Sequence, residues 1–201
     1  MRKGFLLAAL LWSTAFPALA MDWTPDGMVV SYGRYLSVVN NRDAEYNNYR
    51  AGLIWDWNQD WALSDSIKLD GYFELAGSGW KSQLNASDNP SPEGKKSATV
   101  VSFSPVLRIS PKAPTWGSAL PFLDAGVGAA WLSEYDLEKK KNSPINMGGH
   151  FQFEVRLLAG VRFGEQQQYE ISYGWFHYSN AGLHDQNEAI DFHAIRLGFR
   201  W

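Results

Sequence analysis

The chain has 201 residues, enough for one domain, and no cysteine, which excludes a disulfide framework and a thiolate zinc site. Its net charge of −3 leaves no basic footprint, so nucleic acid is excluded as a partner. The aromatic share of 15 %, with 10 Trp, fits a membrane barrel, in which Trp and Tyr form girdles at both interfaces.

The chain opens with Met1-Arg2-Lys3, an apolar run from Phe5 to Trp12, and Ala18-Leu19-Ala20. A positive start, a short apolar stretch and a small-residue cleavage site predict a removed signal peptide over residues 1–20, leaving 21–201 as one domain. The apolar run is shorter than the roughly 20 residues that a membrane helix needs. Loss of Arg2 and Lys3 makes the exported chain more acidic, with a net charge of about −5.

Beyond that point the dominant signal is alternation with period two, the signature of strands with unlike faces. In 48–57, Tyr49, Ala51, Leu53, Trp55 and Trp57 oppose Asn48, Arg50 and Asp56. In 66–77, Ile67, Leu69, Phe73 and Leu75 oppose Lys68, Asp70, Tyr72 and Glu74. In 121–131, Leu123, Ala125, Val127, Ala129 and Trp131 face away from Asp124, Gly126 and Gly128. In 150–163, seven apolar residues from Phe151 to Phe163 oppose His150, Gln152, Glu154, Arg156 and Arg162. Eight strands are predicted, at 27–38, 46–57, 66–77, 97–109, 119–132, 149–163, 168–179 and 188–201.

The polar faces carry both signs of charge in rows. Inside a narrow barrel such charges pair, while the apolar faces meet lipid. Closure is required there, because an open sheet edge would leave backbone groups unpaired in hydrocarbon. Short connections at 58–65, 110–118 and 164–167 alternate with long polar ones at 78–96 and 133–148, as in outer-membrane barrels. The fold class is therefore all-β, an eight-stranded antiparallel up-and-down transmembrane β-barrel. At that strand number side chains fill the interior and no channel is expected.

The chemistry lies on the last two strands. His177 and Ser179 continue the parity of Tyr169, Ile171, Tyr173 and Trp175. Counting back in twos from Trp201 through Phe199, Leu197 and Ile195 reaches His193 and Asp191. His177, Ser179 and Asp191 are thus expected on the lipid-facing side, near the last external loop. Polar groups are costly on that face, so a cluster of them calls for a function. A serine hydroxyl becomes a nucleophile when a neutral imidazole takes its proton and a carboxylate holds the imidazole. The Asn180 side chain and the backbone amides near Ala181 and Gly182 are placed to receive an oxyanion.

The run His177-Tyr178-Ser179-Asn180-Ala181-Gly182-Leu183, with Asn187 and an acid at 191, resembles the C-terminal signature of the PagL-type lipid A 3-O-deacylases. The resemblance implies an eight-stranded outer-membrane serine esterase with a lipid-facing triad, acting on the ester-linked acyl chain at position 3 of lipid A. His177 would be the base, Ser179 the nucleophile and Asn180 an oxyanion donor, with Gly182 and Asn187 in the substrate-binding part. The acid is usually Glu in that family, and Asp191 is shorter by one methylene. Glu188 is the reserve acid, although its parity points inward. The motif covers roughly 175–191; the remaining likeness is one of architecture. The terminal Phe199-Arg200-Trp201 resembles the signal read by outer-membrane assembly machinery, with Trp201 as its last residue. No cofactor and no metal are implied. The partners are lipid A, or lipopolysaccharide, of the outer leaflet and the outer membrane itself; pairing of two barrels into a homodimer is compatible with the sequence.

Two other classes fit the same residues: a non-catalytic barrel for adhesion or membrane integrity, and a phospholipid-cleaving esterase. His193, His184 and Asp185 lack the tight spacing of a zinc site and read as headgroup-level residues. Lys139-Lys140-Lys141 reads as a solvated loop. Trp55, Trp57, Trp131 and Trp175 read as interfacial anchors.

Overall fold

The computed structural model of the protein describes residues 23–36, 44–85, 87, 93–140 and 144–201. The expected signal peptide, residues 37–38 of the first predicted strand and Lys141 lie outside them. All regular structure among the described residues is strand: β1 Gly27–Tyr35, β2 Tyr46–Asp56, β3 Trp61–Ala62, β4 Ile67–Ser82, β5 Ser97–Pro111, β6 Leu120–Leu132, β7 Asp136–Leu137, β8 Ile145–Asn146, β9 Phe151–Phe163, β10 Tyr169–Ser179 and β11 Ile190–Arg200.

Eight of these close into one antiparallel barrel. Each long strand pairs with its sequence neighbour, β1 pairs with β11, and β2 pairs with β4 to complete the ring. A row of paired residues leaving Tyr35 passes through Phe192, Phe176, Arg156, Gly126, Val106, Tyr72 and Asp56. The β1–β2 register carries that row on to Pro25, ten residues below its start. Such a stagger over eight strands tilts them by about 40° and leaves an interior that side chains fill.

The lumen is charged in its middle. Arg50 bonds Glu74 at 2.8 Å and Glu154 at 2.9 Å, and Glu74 also holds Arg156 at 2.8 Å and Arg196 at 2.9 Å. Toward the periplasm, Arg108 bonds Asp124 at 2.7 Å and Glu170 at 2.8 Å, and Arg200 bonds Asp56 at 2.9 Å. Apart from the partly exposed Arg200 and Asp56, these ions are buried, so each needs its partners; the rows of opposite charge supply them. Toward the outside the lumen turns apolar. Tyr46, Trp80, Phe176, Tyr178 and Phe192 pack with Leu137, Ile145 and Met147, which descend from the loop carrying β7 and β8. The outer wall is the reverse: Val30, Leu53, Phe103, Leu107, Leu123, Val127, Leu157, Ile171 and Leu197 are all exposed, as a lipid-facing belt requires.

Three features depart from the sequence reading. β4 runs on to Ser82, where a loop was expected from residue 78. From residue 77 on its outward positions are Gly77, Gly79 and Lys81, which carry no apolar side chain to mark the face. The connection 133–148 is not simply a polar loop, because β7 and β8 pair within it and plug the barrel. A two-residue strand, β3, also pairs with β4 inside the expected turn at 58–65.

Candidate active site

β10 runs outward and β11 returns. Phe176 and Tyr178 point into the lumen, which sends His177 and Ser179 to the outer wall. Gly174 lets β9 approach β10 closely: a Cβ there would meet the backbone of Leu158 at 2.7 Å. His177 lies opposite Asp191 on β11 and opposite Val155 on β9, and Ser179 lies opposite Phe153.

The three polar side chains form one hydrogen-bonded chain. His177 Nε2 lies 2.9 Å from Ser179 Oγ, and His177 Nδ1 lies 2.8 Å from Asp191 Oδ1. With Nδ1 protonated, the imidazole donates to the carboxylate and Nε2 is left to accept from the serine hydroxyl. Asp191 is fully buried although it faces outward, because neighbouring rings cover it. Trp175 Nε1 donates to the same Asp191 Oδ1 at 2.8 Å. That contact was not legible in the sequence, which marked Trp175 as an interfacial anchor. Trp175 lies directly opposite His193, so its bond to Asp191 runs diagonally across the strand pair. His193 itself is held by Tyr173, with Nδ1 and Oη 3.1 Å apart. Glu188 is elsewhere: its carboxylate accepts from the Asn146 backbone at 2.7 Å.

The expectation for Asn180 needs correcting. Its carboxamide nitrogen donates to the carbonyls of Met147 at 2.8 Å and Gln186 at 2.6 Å, and its oxygen accepts from Gly182 N at 2.8 Å. Both side-chain hydrogens are committed, so this buried residue braces the turn rather than facing the serine. Ala181 and Gly182 have φ of 53° and 82°, and Leu183 N donates to Asn180 O at 3.1 Å. Positive φ at both central residues is a type I′ turn, and glycine at 182 meets that demand without strain. Asn187 Oδ1 accepts from Asn180 N at 3.0 Å, which orients its amide group beside the turn. Among the described residues, neither Ala181 N–H nor Asn187 Nδ2 has an intramolecular acceptor. No cluster of three or more metal-ligating side chains occurs among the described residues.

The fold and this wall define an outer-membrane barrel with a hydrogen-bonded Ser-His-Asp chain on its outward wall. Residues 47–200 match the sequence profile of the family described as lipid A 3-O-deacylase (PagL). A relative, the lipid A deacylase PagL of Pseudomonas aeruginosa, is 31% identical over 147 residues, covering 73% of this chain and 74% of that protein. The chain belongs to the PagL lipid A 3-O-deacylase family. The crystal structure of the outer membrane enzyme PagL superposes with a TM-score of 0.68 at 24% identity, covering 87% of this chain and all but 1% of that one (99%). That last likeness is one of fold.

Proposed function

We propose that this protein is an outer-membrane serine esterase that removes the 3-O-linked acyl chain of lipid A. Its substrate lies in the outer leaflet and reaches the lipid-facing wall by lateral diffusion. Ser179 Oγ attacks the ester carbonyl while His177 Nε2 takes its proton. Asp191 stabilises the imidazolium that forms. His177 then gives the proton to the departing sugar alkoxide, leaving an acyl-serine. Water entering from the headgroup side attacks the acyl carbonyl and gives a proton to His177, which returns it to Ser179 Oγ as the fatty acid leaves. The oxyanion donors are the Ala181 N–H and the Asn187 carboxamide, with Asn180 and Gly182 fixing the turn that presents them. The C-terminal Trp201 serves as the residue that assembly machinery reads, and any homodimer would form through the apolar wall.

One observation carries the reading: each ring nitrogen of His177 has its required partner, at 2.9 Å and 2.8 Å, on a face that meets acyl chains. Family membership supplies the substrate class. The test is mass spectrometry of envelope lipids from a Gram-negative host expressing wild type or Ser179→Ala. The wild type should shorten lipid A by one acyl chain, and the variant should not. Intact lipid A with released lysophospholipid would overturn the assignment in favour of a phospholipid esterase. Identical lipid A from both would make the barrel non-catalytic.

A further inference from the structure

A second recess lies beside the candidate active site, at the outer ends of β6 and β9. It is an open cleft of about 640 Å³. One wall is aromatic: the exposed ring of Trp131 stacks on His150 with centroids 5.5 Å apart and planes within 14°, and Tyr135 meets His150 edge-on at 4.9 Å. The other wall is the loop segment His184-Asp185-Gln186, which is exposed. Among the described residues, none of those three side chains has an intramolecular hydrogen-bond partner. The floor is Gly148-Gly149, where side chains would collide with the opposite wall: a Cβ on Gly149 would stand 2.9 Å from His184 Nε2.

The cleft is tied to the nucleophile. Asn180, next to Ser179, donates to Met147 O at the edge of the floor and to Gln186 O on the far wall. One side chain therefore fixes both rims relative to the serine. Ser179 lies opposite Phe153, Phe153 opposite Ala129, and Trp131 is two residues further along β6. From strand spacings this puts Trp131 about 12 Å from Ser179, the span of a disaccharide.

The lining also selects a chemistry. An exposed aromatic face covers the apolar side of a ring, and a carboxylate, an amide and an imidazole exchange hydrogen bonds with hydroxyls. No lysine or arginine lines the cleft, and one carboxylate does, which disfavours a phosphate. A cleft with an apolar wall and a few convergent polar groups is the usual form of a small-ligand site. We propose that this cleft binds a pyranose ring of the glycan headgroup whose ester is presented to Ser179. The inference rests on the deacylase reading for the identity of the lipid. The ring is either the second sugar of lipid A or a sugar of the core attached to it.

The test uses the full barrel in detergent or nanodiscs, with His184→Ala/Asp185→Ala as one variant and Trp131→Leu, which keeps the wall apolar, as another. Heat-modifiable gel mobility reports folding of each. KM for core-free lipid A should rise about tenfold with kcat within a factor of two, the scale expected for losing one or two hydrogen bonds. Hydrolysis of a sugar-free acyl ester should be unchanged. A rise confined to core-bearing lipopolysaccharide would place a core sugar in the cleft. Equal losses on the sugar-free ester, or no loss on any substrate, would overturn the proposal. Binding of lipid A to Ser179→Ala, with and without the cleft substitutions, is measured in parallel and needs no turnover. If that affinity falls about tenfold while the wild type leaves lipid A intact, the deacylase reading fails and the glycan site stands.

Discussion

Asp191→Asn separates the two jobs of the carboxylate. In most triads an amide at the acid position can turn its NH2 toward the imidazole and force the wrong tautomer. Here that rotation is blocked. Trp175 Nε1 is a donor only, and it shares Asp191 Oδ1 with His177 Nδ1. An asparagine must keep its oxygen toward both, so the ring keeps its proton on Nδ1 and the geometry survives. What disappears is the negative charge under the imidazolium. Two unit charges about 4 Å apart at an effective dielectric near 20 interact by about 4 kcal/mol. That corresponds to a fall in kcat of roughly 10³. The assay is initial-rate release of fatty acid from lipid A micelles, with folding checked by gel mobility. Adding Trp175→Phe to Asp191→Asn frees the amide to turn, and kcat should fall about a further tenfold. If Asp191→Asn keeps more than about a tenth of wild-type kcat, the carboxylate does not stabilise a developing imidazolium and the proton-transfer role of His177 is wrong.

Trp175→Phe alone leaves the buried carboxylate with one donor fewer; kcat should fall about 5- to 30-fold with KM unchanged, measured on lipid A. Glu74→Ala strips the common partner from Arg50, Arg156 and Arg196, so urea unfolding followed by gel mobility should show a loss of about 3–5 kcal/mol. Val127→Arg puts a charge on the exposed belt and should cost about 2–4 kcal/mol in lipid vesicles, while Val127→Leu should cost almost nothing.

The sequence reveals the barrel because lipid and lumen impose opposite demands on alternate residues. Where both demands are written in side chains, as in β9, strand and facing are legible together. Where they are not, the pattern fails. Gly77 and Gly79 erase the outward marks of β4, and its last five residues read as loop. Leu137, Ile145 and Met147 are scattered through a polar segment, and only the closed barrel shows that they fill one space. At the site, parity alone could bring His177, Ser179 and Asp191 to one wall. It could not show that Trp175 reaches Asp191 diagonally, because that depends on register. Nor could it show that Asn180 is spent on Met147 and Gln186, which lie 33 and 6 residues away.

The charged lumen and the lipid-facing chain look like separate systems, but they share a strand. Tyr178 stands between His177 and Ser179 and points the other way, donating from its hydroxyl to Glu154 at 2.9 Å. Phe176, on the other side of His177, lies under the guanidiniums of Arg50 and Arg156 at 5.5 Å and 5.3 Å. Glu154 in turn bonds Arg50, Arg156 and Ser104. The backbone that carries the imidazole and the hydroxyl is therefore pinned from inside by residues that no substrate touches. Misplacing reacting groups by about 1 Å can cost a hundredfold in rate. His177 and Ser179 stand on a wall with lipid on one side, so besides strand pairing and the turn that Asn180 braces, this inner anchorage holds their backbone. The same buried ions that keep the lumen closed thus fix the outward geometry.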